Sequence, residues 1–279
     1  MKNSCKWILD NFGFKELMRT DKSDVLWIHG QPGKGKTMLA MFLVDEITES
    51  ISHSPFDQLA YFFCDNTTVQ RNSTLCLLKS ILHQVLKQRP RNVIQEDFHS
   101  QGAQMFSSVE AVWIALIRVL EASTARSIYL VIDGLDECDT DSLDILLDLA
   151  SIHFTTRADS LCNVKWIFTS RNDVAIREHL STARLVDMEA NSTKVARAVN
   201  AFINLKVDEL AIRKRYDQDL KEFVVKSLRE KSEGTFLWVA LACTELRKCT
   251  VSSFNTRPRE ISTWPLAALC SNFRTSHEQ

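Results

Sequence analysis

The stretch Val25-Leu-Trp-Ile-His-Gly30-Gln-Pro-Gly33-Lys-Gly35-Lys36-Thr37-Met38 decides the fold. From Gly30 to Thr37 it fits the pattern Gly-x-x-x-x-Gly-Lys-Ser/Thr, in which bare backbone N–H groups wrap phosphates and a helix N-terminus adds a positive dipole. The pattern needs a buried strand before it and a helix after it, and residues 25–29 and 38–47 read as both. Glycine is scarce, with seven in the whole chain, yet Gly30, Gly33 and Gly35 fall within this one loop. The candidate phosphate-binding residues are therefore Gly30, Gln31, Pro32, Gly33, Lys34, Gly35, Lys36, Thr37 and Met38. Lys36 is expected to reach the β- and γ-phosphates as a point charge, and the Thr37 hydroxyl to complete part of a Mg²⁺ shell.

Outward from the loop, apolar runs recur at residues 59–64, 127–132, 164–169 and, more weakly, 184–188. Helical periodicity separates them. Leu75, Leu78, Leu82, Val85 and Leu86 recur at spacings of three and four, as do Val109, Val112, Trp113, Leu116 and Leu120. Strands alternating with helices predict a parallel α/β sheet. After about residue 190 the strand signals stop, and Val195, Val199, Phe202, Ile203 and Leu210 open a purely helical stretch. The expected organisation is a lead-in helix over 1–22, a core over 23–190, a small helical domain over 191–250 and an irregular tail over 251–279, read as a truncation or a misjoined gene.

Two further strands end in chemistry. Ile128-Tyr-Leu-Val-Ile-Asp133-Gly-Leu-Asp136-Glu137 carries acidic residues to the carboxyl end of an apolar strand, where sheets of this class bind ligands. It reads as a Walker B strand. Asp133 is the expected Mg²⁺ partner, and Asp136 or Glu137 the group that orients or deprotonates an attacking water. The bland alternative makes Asp136, Glu137 and Asp139 caps of the next helix. Lys165-Trp-Ile-Phe-Thr169-Ser170-Arg171 ends in a guanidinium whose fixed donors suit a γ-phosphate, the alternative being an ordinary surface arginine. His29 reads as a satisfied core histidine.

Composition restrains the choice. Hydrophobic residues make up 45% and charged residues 25%, near globular averages. Lys plus Arg total 34 against 35 Asp plus Glu, so no net positive field supports nucleic-acid binding. The eight cysteines lack a CxxC pair or a Cys/His cluster and read as reduced, mostly buried thiols. Neither a signal-like apolar segment nor a membrane-length run occurs, which leads us to expect a cytoplasmic, intracellular protein.

WIHGQPGKGKTML, YLVIDGLDECD and KWIFTSR, in that order, resemble the NACHT-type P-loop NTPases of the signal-transducing (STAND) class, in particular the fungal branch with a nephrocystin-like domain. The likeness extends to LAYFFCD, NSTLCLLKSILHQVL and EGTFLWVALACTELRK. It implies an ASCE-type sheet in which the strand ending at Thr169 lies between the loop strand and the Walker B strand. It also implies a switch that holds ATP or GTP, ATP being favoured, with Mg²⁺, self-associates in the triphosphate state, and resets by slow hydrolysis. In such a switch Asp136, Glu137 and Arg171 are the catalytic candidates, and Thr37 and Asp133 the metal candidates. The expected role is a module of a fungal self/non-self recognition or immune receptor. The competing readings are a nucleotide-binding scaffold that does not signal and a small-molecule P-loop kinase.

Overall fold

A computed structural model describes residues 4–54, 56–68, 71–88, 102–156 and 163–248. The expected tail over 251–279 lies outside them, as do Cys162, Cys249 and Cys270. The chain divides into two compact units that meet between Asn191 and Ser192.

The first unit is built on a five-stranded, all-parallel sheet in the order β2-β3-β4-β1-β5. Its strands are β1 (Asp24–His29), β2 (Asp57–Phe63), β3 (Ser127–Asp133), β4 (Val164–Ser170) and β5 (Arg184–Asp187). Every residue of β3 and β4 is buried, because helices cover both faces of the sheet, and this is why both strands read as unbroken apolar runs. At the edge, β5 has only Val186 buried while Leu185 is 54% exposed, which explains its weak signal. β4 lies between β1 and β3, as the resemblance implies. The parallel α/β architecture followed by a helical part is thus present.

Chain connections place the helices. A short 3₁₀ turn, Lys6–Asp10, precedes α1 (Phe12–Arg19); Asn11 breaks the two apart and caps α1 by accepting from the Gly13 N–H. α2 (Lys36–Ile51) crosses from β1 to the far edge strand β2. α3 (Thr74–Gln88) and α4 (Val109–Glu121) link β2 to β3 and pack on each other. Ser108 starts α4 by accepting from Ala111 N. α5 (Thr140–Thr156) and the short α6 (Val174–His179) follow β3 and β4. On one face of the sheet Trp113, Phe154, Trp166 and Phe168 interlock, with ring centroids 5.7–6.4 Å apart. Truncating one of these buried rings to alanine costs about 3–5 kcal/mol.

The second unit contains α7 (Ser192–Lys214), α8 (Gln218–Lys231) and α9 (Phe236–Lys248). Asp217 caps α8 through Leu220 N. Phe202 of α7 meets Phe236 of α9 with centroids 5.5 Å apart. Trp238, two residues after Phe236, is buried, whereas Leu237 between those two is 41% exposed. The apolar stripe of α9 is therefore core on one side only.

Candidate functional site

All parallel strands point their carboxyl ends to one edge, so β1, β3, β4 and β5 deliver His29, Asp133, Ser170 and Asp187 there together. β1 and β4 are neighbours whose following connections leave in opposite directions, which opens a crevice at that edge. Three loops line it: 30–35, 134–139 and 171–173.

Residues Gly30 to Gly35 form an open loop between β1 and α2. Gly33 and Gly35 take φ of 75° and 92°, a region that side chains with a Cβ avoid. Gly35 is also the N-cap of α2 and has no side chain to cap it. The first amides of α2, at Lys36, Thr37 and Met38, therefore have no acceptor from the helix itself and face the crevice. Lys36 Nζ folds back over the loop and donates to Gly30 O at 2.7 Å and Gln31 O at 3.3 Å. Burial lowers the Lys36 pKa, while Asp136 and Asp133 pull against that shift. Pro32 and Lys34 are half-buried on the loop, and Gln31 is exposed.

Asp133 is buried at the end of β3 and accepts a hydrogen bond from the Thr169 hydroxyl, with the Thr37 hydroxyl close by. Burial raises its pKa, and the Thr169 and Thr37 hydroxyls together with Lys36 oppose the rise. Thr37 from α2 and Asp133 from β3 are thus brought together. Thr169 also takes the Gly134 N–H on its Oγ1 at 3.0 Å, fixing the sharp left-handed turn at Gly134, where φ is 75°. The Thr169 role was not read from the sequence; its only signal there was its place at the end of a buried strand.

Beyond Gly134 a 3₁₀ turn, Leu135–Glu137, presents the two acids differently. Asp136 is held by Arg171, whose Nε lies 3.1 Å from Oδ2 and whose backbone N–H donates to Oδ1 at 2.9 Å. Glu137 is half-buried, and burial pushes its carboxyl above the usual range; its Oε2 accepts from Asn66 N at 3.4 Å. Neither caps α5. That task falls to Asp139, which accepts from Ser142 N at 3.1 Å and also reaches Thr74 N at 3.4 Å. Arg171 is 57% exposed at its side chain and faces Asp136 across the crevice.

Two features correct or extend the sequence reading. His29 is buried, but it is not a satisfied core histidine: its Nδ1 has no hydrogen-bond partner. Cys64 and Cys138 meet behind the acidic loop with Sγ atoms 3.1 Å apart. The Cys138 hydrogen bond and burial both push the Cys64 thiol far up, so Cys64 stays protonated at neutral pH and serves as packing. Cys5 and Cys243 are also buried free thiols.

Sheet order, the glycine loop opening α2 and the helical C-terminal part together define the fold of the P-loop NTPase class. The chain belongs to the family of the nephrocystin 3 N-terminal domain, whose model matches residues 3–171. It is 35% identical over 255 residues to the vegetative incompatibility protein HET-E-1 of Podospora anserina, a match covering 88% of this chain. The chain spans about a fifth of that relative, 18% of its length. Among solved structures it is similar to Aeropyrum pernix ORC2 in its ADP form, with 17% identity, a TM-score of 0.44, and 82% of this chain and 68% of that one covered. For the ADPNP-ADP complexes of ORC2 the values are 16%, 0.46, 82% and 67%. No described helix is long and apolar enough to cross a membrane.

Proposed function

We propose that this chain is a nucleotide switch module that binds ATP in preference to GTP with Mg²⁺, hydrolyses it slowly, and works within a fungal-type self/non-self recognition or immune receptor. The observation that carries the reading is the convergence of Thr37 and Asp133 beneath a glycine loop whose helix offers uncapped amides. Hydroxyl, carboxylate and amide donors form the set that a Mg²⁺-bound triphosphate requires. The residues fit the group.

On this reading, the amides from Gly33 to Met38 hold the phosphates, and Lys36 exchanges its carbonyl partners for phosphate oxygens. Thr37 and Asp133 hold Mg²⁺, which when bound neutralises charge developing on the phosphoryl group. Glu137, whose carboxyl burial makes more basic, takes the proton of the attacking water. Arg171 reads the γ-phosphate by leaving Asp136, so the triphosphate state is distinguished by one broken ion pair. In that state the module is expected to associate with itself or with protein partners. Nucleic acid is no part of this reading.

The Asp136–Arg171 clamp also favours a second reading, nucleotide binding without turnover in a non-signalling scaffold, because it engages the first acid of the loop. One experiment begins with the purified chain, which is denatured so that released nucleotide can be identified by chromatography, with Lys36→Ala as control. Stoichiometric ADP or ATP, absent from the variant, supports the switch. Triphosphate recovered without phosphate release supports the scaffold. If no nucleotide is released, and none binds on titration with Mg²⁺, both readings fall.

A further inference from the structure

Beside the loop, but outside the set just described, lies a group of side chains with no assigned task. His29 ends β1 and Asp187 ends β5, and the two are register partners in adjacent parallel strands. Glu189 follows two residues later and turns back to accept the Gln31 N–H at 2.9 Å. One ligand atom from each of His29, Asp187 and Glu189 lies within 4.8 Å of the other two.

Each member leaves chemistry unspent. His29 is 4% exposed and its Nδ1 has no hydrogen-bond partner, a costly arrangement for a buried polar nitrogen. Two carboxyl groups stand against that ring. Asp187 Oδ1 accepts from the N–H groups of Glu189 at 2.8 Å and Ala190 at 3.3 Å, which fixes its carboxyl at the end of the strand. An imidazole nitrogen with two carboxyl groups supplies one nitrogen and two oxygens.

We propose that His29, Asp187 and Glu189 form a binding site for a first-row divalent cation of the zinc class, separate from the Mg²⁺ held with nucleotide. Mixed nitrogen and oxygen ligands suit zinc and its neighbours, whereas Mg²⁺ takes oxygen alone. Bonds of about 2.0–2.2 Å bring tetrahedral ligand atoms to about 3.5 Å from one another, so the present group, which lies within 4.8 Å, draws in by up to about 1.3 Å on binding. Water completes the shell. Such an ion ties the end of β5 to the end of β1 and, through Glu189 and Gln31, to the entrance of the phosphate loop. It neutralises charge on the two carboxyl groups and engages the buried ring.

The full chain, freed of nucleotide and metal, is titrated with Co²⁺ and then with Zn²⁺ in competition, following the visible absorption of bound Co²⁺. The expected result is one saturable equivalent without a thiolate charge-transfer band, displaced by Zn²⁺. Asp187→Asn and Glu189→Gln keep the shape of partly exposed side chains, and each is expected to weaken binding at least about tenfold. Thermal melting of the metal-free variants checks that they are folded. The proposal is overturned by an absence of saturable binding, by a thiolate band marking the cysteines as ligands, or by unchanged affinity in either folded variant.

Discussion

Arg171 grips Asp136 at two points, its Nε on one carboxylate oxygen at 3.1 Å and its backbone N–H on the other at 2.9 Å. The contact joins the end of β4 to the acidic turn after β3. The first prediction follows from what this contact exchanges for. If Arg171 leaves Asp136 for a γ-phosphate, Arg171→Ala lowers the preference for triphosphate over diphosphate by about tenfold, one charge-assisted contact. Competition of both nucleotides against a fluorescent analogue measures the ratio. An unchanged ratio removes Arg171 from the reading.

Metal dependence gives the second prediction. The Thr37 hydroxyl and the Asp133 carboxylate already lie close together, so little reorganisation is needed to receive an ion between them. Thr37→Ala and Asp133→Asn should each abolish most of the affinity gain that Mg²⁺ gives to a triphosphate, about 10–100-fold. Diphosphate affinity without Mg²⁺ should change little in Thr37→Ala. Equal losses with and without Mg²⁺ would instead show that these residues hold the loop and not the ion.

The sequence discloses what is local and conceals what depends on register. The glycine loop, the turn at Gly134 and the buried runs of β1, β3 and β4 are contiguous signals, and each stands where its own residues put it. β5 is faint because an edge strand buries only Val186 and turns Leu185 outward. Contacts between strands are a different matter. Thr169 meets Asp133, Glu189 meets Gln31, and Asp187 comes beside His29 only because neighbouring strands align in one register. Hydropathy runs are blind to register when both faces of a strand are buried. His29 shows the consequence: its burial is legible from its strand, but its missing partner is not.

Glycines of the first unit provide a third prediction with opposite signs at two sites. A Cβ at Gly30 would lie 2.9 Å from the Cβ of Met188, closer than a carbon contact allows and with no flexible end to move away. Gly30→Ala should therefore destabilise the chain by about 1–3 kcal/mol and open the start of the loop. Gly13 in α1 meets nothing closer than 3.4 Å. Gly13→Ala should be neutral or stabilise by up to about 1 kcal/mol, since alanine restricts the unfolded chain and favours helix. Urea unfolding of both variants decides the matter, and equal shifts would mean that the packing at Met188 relaxes.

Acid sensitivity gives the fourth prediction. His153 of α5 packs edge-on against Trp113, with centroids 5.9 Å apart, and burial lowers its pKa below the ordinary 6.5. The unfolded chain therefore takes up the proton first as pH falls, so this group's contribution to stability is present above 6.5 and drains away below it. His179 acts in the opposite sense, because its bond to the Ala175 carbonyl and the Asp148 carboxylate raise its pKa, and its contribution fades as pH rises. Whole-chain titration mixes the two signs, so the informative quantity is a difference between proteins. His153→Phe keeps a ring against Trp113 and removes the proton. Its urea midpoint should gain on the native chain steadily as pH is lowered through 6.5, while the gap between the two stays constant at higher pH. His179→Gln should show the reverse trend, losing ground to the native chain on the acid side. A gap that does not vary with pH for either variant would mean that the corresponding ring is equally free to protonate in the folded and unfolded chains.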